Sequence, residues 1–213
     1  LAEAGAEVVL TDLLLELGEE KVRTLKDSGH QAHFRSMDVS NRQAITSTIG
    51  EIVETTGGID ILINNAGVGG KSHGGPYSAQ DMTDEHWRTG LGVNLDGPFF
   101  CSQAVYPTMK QRGGGAIINI ASVWGLGAST SMPVAAYASS KAALVNLTRQ
   151  LAVEWASDGI RVNAIAPGFF ETQLVAPGED AEWKVKMREQ IAERMPMQRR
   201  GQPDEIKGAA LFL

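Results

Sequence analysis

Apolar positions fall in short continuous runs, and the stretches between them carry helical periodicity. Ala6-Glu-Val-Val-Leu-Thr11, Gln31 to Met37, Ile59-Asp-Ile-Leu-Ile63, Ala116-Ile-Ile-Asn-Ile120 and Ile160-Arg-Val-Asn-Ala-Ile165 read as buried strands. Leu13 to Asp27, Ser40 to Thr56, Thr83 to Arg112 and Ala135 to Ser157 read as helices. Ser40 and Gln43 have the spacing of a capping box. The third helical stretch should break near Asp96-Gly97-Pro98. Glu179 to Arg194 is again helical, and Pro203 suits the first turn of a last helix. Gly69 to Gln80 and Pro167 to Gly178 are loops. Strands alternating with helices predict an α/β fold, a doubly wound parallel sheet in three layers. Apolar strands without alternation suit a sheet covered on both faces. Ligands of such sheets lie beyond the carboxyl ends of the strands. That rule gathers Asp12, Asp38, Asn64-Asn65-Ala66-Gly67, Ser122 and Pro167-Gly168 on one rim. With no linker, repeat or low-complexity tract, residues 1–213 read as a single domain.

Charge narrows the function classes. A net charge of −6 argues against a nucleic-acid partner, which requires a basic footprint. No apolar run reaches the ~20 residues of a membrane helix, and no leader pattern opens the chain. Cys101 is the only cysteine, so no internal disulfide forms, which fits a reducing cytoplasm. It lies in an apolar helical run and reads as core. Both ends read as cut. Leu1-Ala-Glu-Ala-Gly5 resembles the last turn of a helix with its glycine stop, and Ala209 to Leu213 halts inside an apolar helix. A fragment of a longer protein is therefore expected.

The chemistry centres on Tyr137 and Lys141. Four residues apart on a helix, they share one face with Cβ atoms about 5–6 Å apart. Ser122 closes a strand fifteen residues earlier. A phenol beside an ammonium, with a hydroxyl to hold a substrate oxygen, suggests proton transfer on and off that oxygen. Taken by itself the Tyr137–Lys141 pair also suits two snorkelling side chains on a packed helix. Asp12, at a strand end, can accept both hydroxyls of an adenosine ribose, or can cap a helix starting at Leu13. Asp38 can accept from an adenine amino group while Val39 packs on the ring, or can form a turn ahead of Ser40. In Asn64-Asn65-Ala66-Gly67 the small residues admit a ligand close to the backbone, and an asparagine can tie two strand ends together. Gly70-Lys71-Ser72 fails as a phosphate loop, because Gly74-Gly75-Pro76 prevents a helix from starting at the lysine. Gly113-Gly-Gly115 precedes a strand rather than opening a helix and fails as well. His30, His33, His73 and His86 lack metal-ligand spacing, so no metal is expected.

Taken together, Asp12, Asp38-Val39, Asn64-Asn65-Ala66-Gly67, Asn94, Ser122, Tyr137-Ala-Ser-Ser-Lys141 and Pro167-Gly-Phe-Phe-Glu-Thr172 resemble the short-chain dehydrogenase/reductase family in order and approximate spacing, over essentially the whole chain. The resemblance implies a Rossmann-like fold and hydride transfer between NAD(H) and a secondary alcohol or ketone. Tyr137 would be the acid/base, Ser122 the holder of the substrate oxygen, and Asn94 the residue that positions a water behind Lys141. Lys141 would also bond the nicotinamide ribose. Asp12, Asp38, Val39 and Asn65, with Ala66 and Gly67, would hold the adenosine half, and Pro167, Gly168, Phe170 and Thr172 the nicotinamide half. Shifting a tyrosine from about 10 toward neutrality needs roughly 3–4 kcal/mol. A lysine charge ~4 Å away supplies about 4 kcal/mol at an effective dielectric of 20. Two departures from the family stand out. Its first strand and glycine-rich pyrophosphate turn would precede Leu1, and a last strand would follow Leu213. The Ser122-to-Tyr137 interval is two residues longer than usual, the extra length falling between Gly125 and Pro133.

Asp12 favours NAD over NADP, since its charge would repel a 2′-phosphate. The alternative within the class is an NADP-dependent 3-oxoacyl-thioester or ketone reductase. The alternative of another class is a non-catalytic fragment or binding protein. Leu144, Leu147, Leu151 and Trp155 form a core stripe on the Tyr137 helix. Ala138, Ala142 and Val145 leave a small-residue face for a second subunit, so a dimer or tetramer is expected. The partner is otherwise a small-molecule substrate, walled by Trp124, Phe169, Phe170 and Leu174.

Overall fold

The computed structural model describes residues 1–69, 78–129, 133–172 and 195–213. Among the described residues five parallel strands carry the fold: β1 (Val8–Asp12), β2 (Ala32–Ser36), β3 (Ile61–Asn64), β4 (Gly115–Ile120) and β5 (Ile160–Ile165). β1 pairs with β2, and a second sheet runs β3-β4-β5. The register sets Asp12 beside Ser36, and Asn64 beside Asn119. The helices are α1 (Leu15–Asp27), α2 (Arg42–Thr56), α3 (Asp84–Leu91), α4 (Gly97–Gln111), α5 (Ala135–Glu154) and α6 (Lys207–Phe212). This is a Rossmann-like α/β fold. The helix expected over Glu179 to Arg194 lies outside the described residues, apart from the chain resuming at Met195.

Helices α4 and α5 pack onto the three-stranded sheet, and α2 packs on α4. Their core joins Ile45 and Ile49 from α2, Cys101, Val105 and Met109 from α4, Leu151 from α5, and Ile117, Ile160 and Val162 from the strands. Burial raises the Cys101 thiol to about 12, which makes it an inert core residue as its sequence context indicates. Leu144 is fully buried, and Leu147 and Trp155 pack on the same core, so the stripe on α5 is as expected. Val145 is not part of an outward face: it is buried, while Ala142 and Val153 are exposed. At one helical turn from Lys141, Val145 is carried inward with it.

Element ends differ from expectation where side chains compete for backbone. Asn41, not Ser40, caps α2, its Oδ1 accepting the Gln43 and Ala44 amides at 3.0 and 3.1 Å. Ser40 is held one residue back, where its amide and hydroxyl both donate to Asp38 Oδ1 at 2.8 and 2.7 Å. Asp12 likewise does not cap a helix at Leu13. It accepts the Leu14 amide at 2.9 Å, and α1 begins at Leu15. The helical stretch does not break at Asp96-Gly97-Pro98. It runs through a π-helical segment, Gly92–Asp96, into α4. Pro98 has no N–H for the Asn94 carbonyl four residues back, which is where the α ladder gives way. The Gly113–Gly115 run serves a close crossing: a Cβ on Gly114 would lie 2.6 Å from the Gly159 carbonyl oxygen.

A buried polar relay ties the sheet to α5. Asn64 Nδ2 donates to Asn119 Oδ1 at 2.8 Å, Asn119 Nδ2 to Thr148 Oγ1 at 2.9 Å, and Thr148 Oγ1 to the Leu144 carbonyl at 2.7 Å. The asparagine expected to link strand ends does so, and reaches Ser102 Oγ on α4 at 3.2 Å. Asn119 is fully buried. Replacing it leaves a donor and an acceptor unsatisfied in the interior, a cost of about 1–3 kcal/mol for each group. Asn119→Leu is expected to lower unfolding free energy by about 2–4 kcal/mol in urea denaturation. A loss under ~0.5 kcal/mol, the range of an ordinary surface substitution, would show that the relay carries no stability.

Candidate active site

Strand β4 delivers Ser122 to the rim. Beyond Ile120 the chain stays extended, Ala121 donating to the Ile165 carbonyl at 2.7 Å. Ser122 caps a short 3-10 turn, Val123–Gly125, its Oγ accepting the Trp124 amide at 3.2 Å. That turn lies flat against α5. A Cβ on Gly125 would come within 2.7 Å of the Lys141 backbone, so only glycine permits the approach. The two elements that carry the hydroxyl pair and the ammonium are thereby locked together.

Tyr137 occupies the first turn of α5 and Lys141 the second. Lys141 is 3% exposed, and its Nζ donates to the Ile120 carbonyl at 2.7 Å while standing 5.7 Å from the Tyr137 ring centroid. Ser122 and Tyr137 are hydrogen-bonded through their hydroxyls. Burial lowers Lys141 from 10.5 to about 8. Burial also raises Tyr137 above its ordinary 10.0, and the Ser122 bond offsets this only in part. Burial thus works against the shift toward neutrality that the Lys141 charge, together with an oxidised nicotinamide, is expected to supply. The ammonium donates to the Ile120 carbonyl, and desolvation is the largest influence on the phenol.

Asn94 sits in the π-helical segment and is fully buried. Its Oδ1 accepts the Val68 amide at 2.8 Å, and its Nδ2 donates to the Val68 carbonyl at 2.9 Å and to Ser140 Oγ at 3.2 Å. The side chain thus grips the backbone just past Asn65, Ala66 and Gly67. A Cβ on Gly67 would stand 3.2 Å from Asn94 Oδ1 and 3.6 Å from Lys141 Nζ, which brings that loop to the same centre. Asp12 is exposed at the end of β1, and its carbonyl accepts the Met37 amide at 3.2 Å, which sets Asp38 beside it. Val39 packs against Gly97, where a Cβ would meet its carbonyl oxygen at 2.8 Å. Its turn is seated on the start of α4.

On the other side, the Pro167 carbonyl accepts the Val123 amide at 3.1 Å. Gly168 is exposed. Phe170 bridges to Gly201, backed by Gly201 donating to the Phe169 carbonyl and Glu171 to the Gly201 carbonyl, each at 2.9 Å. Arg200 pairs with Glu171. Thr172 is exposed; Leu174, expected in the apolar wall, lies outside the described residues. Trp124 stands edge-on to both Tyr137 and Phe169, with ring centroids 6.0 and 5.4 Å apart. Ser140, Val68 and the Ile120 carbonyl were not legible as site components; the one signal was a small polar residue among alanines on a buried helix face. Among the described residues no cluster of His, Cys, Asp or Glu has metal-binding geometry, and no helix is long and apolar enough to cross a membrane. His73 lies outside the described residues.

The donor set suits a dinucleotide. Lys141 commits one of three protons to Ile120 among the described residues, leaving donors for a ribose hydroxyl. Two strand-end carboxylates, Asp12 and Asp38, stand at the β1–β2 rim as acceptors for the other end. The chain can therefore hold a polyhydroxylated ligand across the rim and present two hydroxyls to a reacting oxygen.

The similarities agree with that chemistry. A family profile described as enoyl-(acyl carrier protein) reductase matches residues 1–213. Galactitol 2-dehydrogenase of Rhizobium johnstonii is 39% identical over 213 residues, 100% of this chain and 80% of that protein. 2-Dehydro-3-deoxy-D-gluconate 5-dehydrogenase of Bacillus subtilis is 38% identical over 100% of this chain and 79% of its own length. Among solved structures, a gluconate 5-dehydrogenase from Burkholderia cenocepacia in complex with NADP and tartrate is 37% identical, with a TM-score of 0.87 over 100% of this chain and 79% of that one. An NAD+-bound xylitol dehydrogenase is 30% identical, with a TM-score of 0.87 over 100% of this chain and 84% of that one. The chain belongs to the short-chain dehydrogenase/reductase family and is an NAD(P)-dependent oxidoreductase acting on CH–OH groups.

Proposed function

We propose that the chain interconverts a secondary alcohol and its ketone with Tyr137 as the acid/base and NAD(H) as the preferred cofactor. The observation that carries this reading is the hydroxyl pair of Ser122 and Tyr137 set beside the buried Lys141 ammonium. The bound nicotinamide supplies the hydride acceptor or donor. Ser122 donates a hydrogen bond to the substrate oxygen and fixes it against the phenol. Tyr137 takes the alcohol proton during oxidation and returns it during reduction. Lys141 bonds the nicotinamide ribose and stabilises the phenolate. Asn94 supports a water-borne proton route behind Lys141, through its backbone carbonyl rather than its side chain, which is committed to Val68 and Ser140. Asp12, Asp38, Val39, Asn65, Ala66 and Gly67 face the adenosine half, and Pro167, Gly168, Phe170 and Thr172 the nicotinamide half.

The substrate class that fits is a sugar alcohol or keto-sugar, the class of the relatives named above, taken against the Trp124–Phe169 wall through its C–H face. One NAD(P)-binding domain spans residues 1–213. Exposed Ala142 and Val153 on α5 suit assembly into a dimer or tetramer, and the buried lone thiol suits the cytoplasm. NADP is the second reading for the cofactor, favoured by the Burkholderia neighbour. Against it stands the exposed Asp12 carboxylate, followed by Leu13 and Leu14 rather than a cation.

Tyr137→Phe is expected to remove at least 99% of turnover, followed by nicotinamide absorbance on galactitol and 5-keto-D-gluconate, while cofactor affinity stays within about threefold, because one general acid/base group contributes about 10²–10⁴-fold. Persisting turnover would remove Tyr137 from the mechanism. Asp12→Ser should raise kcat/KM for NADP relative to NAD by roughly tenfold, the scale of about 1.4 kcal/mol. An unchanged ratio would show that Asp12 does not read the ribose.

A further inference from the structure

The geometry points to Ser140 as a positioning residue that ties the loop after β3 to the backbone of Tyr137; its catalytic meaning rests on the acid/base reading above. Ser140 lies on α5 between Tyr137 and Lys141 and is fully buried. Its hydroxyl donates to the Tyr137 carbonyl at 2.7 Å and accepts from Asn94 Nδ2 at 3.2 Å. Asn94 holds both the amide and the carbonyl of Val68. A continuous chain of hydrogen bonds, buried at its centre, therefore runs from Val68, through Asn94 and Ser140, to the first turn of the helix that carries the phenol.

Each link has a defined direction. A serine hydroxyl has one proton, and here it goes to the Tyr137 carbonyl. Its lone pair is then aimed at Asn94, which orients the amide so that its oxygen meets the Val68 amide and its nitrogen the Val68 carbonyl. Reversing that amide would face an N–H against an N–H at Val68. Ser140 thus fixes which way Asn94 points, and Asn94 fixes the loop in which Gly67 approaches Lys141. Ser140 touches neither substrate nor reacting atoms; it acts through Asn94 and through the backbone of Tyr137. Alanine at this position would keep the helix, since its propensity there is higher than that of serine, but would leave Asn94 Nδ2 short of an acceptor.

The test compares Ser140→Ala with Ser140→Thr, which restores the hydroxyl, by two readouts. The first is hydrogen exchange at the Val68 amide. The second is the pH dependence of kcat and KM on galactitol or 5-keto-D-gluconate, whichever the parent chain turns over faster. In Ser140→Ala, exchange at Val68 should quicken at least tenfold, kcat should fall at least tenfold with substrate KM within threefold, and the ionisation governing kcat should move by half a pH unit or more. Ser140→Thr should recover Val68 exchange to within threefold of the parent. A role confined to stability would lower the melting temperature and leave that ionisation in place, which overturns the proposal. So does Val68 exchange within twofold of the parent in Ser140→Ala. A parent inactive on both probes, or a Tyr137→Phe variant that keeps turnover, sinks the acid/base reading instead, and the exchange at Val68 then decides the coupling alone.

Discussion

Everything at the rim depends on keeping one ammonium out of water. Lys141 is nearly inaccessible and donates to the carbonyl of Ile120 at the end of β4. Burial takes its pKa from 10.5 to about 8, a cost of about 3 kcal/mol to the folded state at neutral pH. The sign follows from proton counting. Between about pH 8 and 10.5 the unfolded chain keeps the lysine proton and the folded chain does not, so stability rises with pH across that window. Tyr137, raised above 10.0, works the other way at higher pH, where the unfolded phenol ionises first. A fold tolerates such a cost when the surroundings hold the group in place, and here they do so with β4, the Gly125 turn and the second turn of α5.

The polar interior is organised to the same end. Asn64, Asn119 and Thr148 pin α5 to the strands, while Asn94 and Ser140 pin its first turn to the loop after β3. The Asn64, Asn94 and Asn119 side chains are buried, so each amide orientation is dictated by its neighbours rather than by water. The π-helical segment exists within this frame: Pro98 removes one donor from the helix ladder, and the widened turn brings Asn94 to Val68.

The sequence carried the strands and the α5 core stripe because their apolar residues are continuous or regularly spaced. It carried Ser122, Tyr137 and Lys141 because a helix fixes where residues four apart must face. It misassigned what local competition decides. Whether Ser40 or Asn41 caps α2, and whether Asp12 caps α1, turns on which carboxylate or amide reaches a given N–H first, and several candidates stand within two residues. Spacing on a helix gives the proximity of Tyr137 and Lys141 but not the Ile120 carbonyl that the long lysine side chain reaches. The positioning role of Ser140 was not legible for the converse reason: its place in the motif does not reveal its partner Asn94, 46 residues away in the chain.

The most direct measurement is the titration of the Lys141 side chain by NMR, with the variant Lys141→Met identifying the resonance. A midpoint drawn well below 10.5, toward about 8, is the result that burial of the ammonium predicts. A midpoint at or above the ordinary value of 10.5 would contradict the claim that the Lys141 ammonium is held at a desolvation cost.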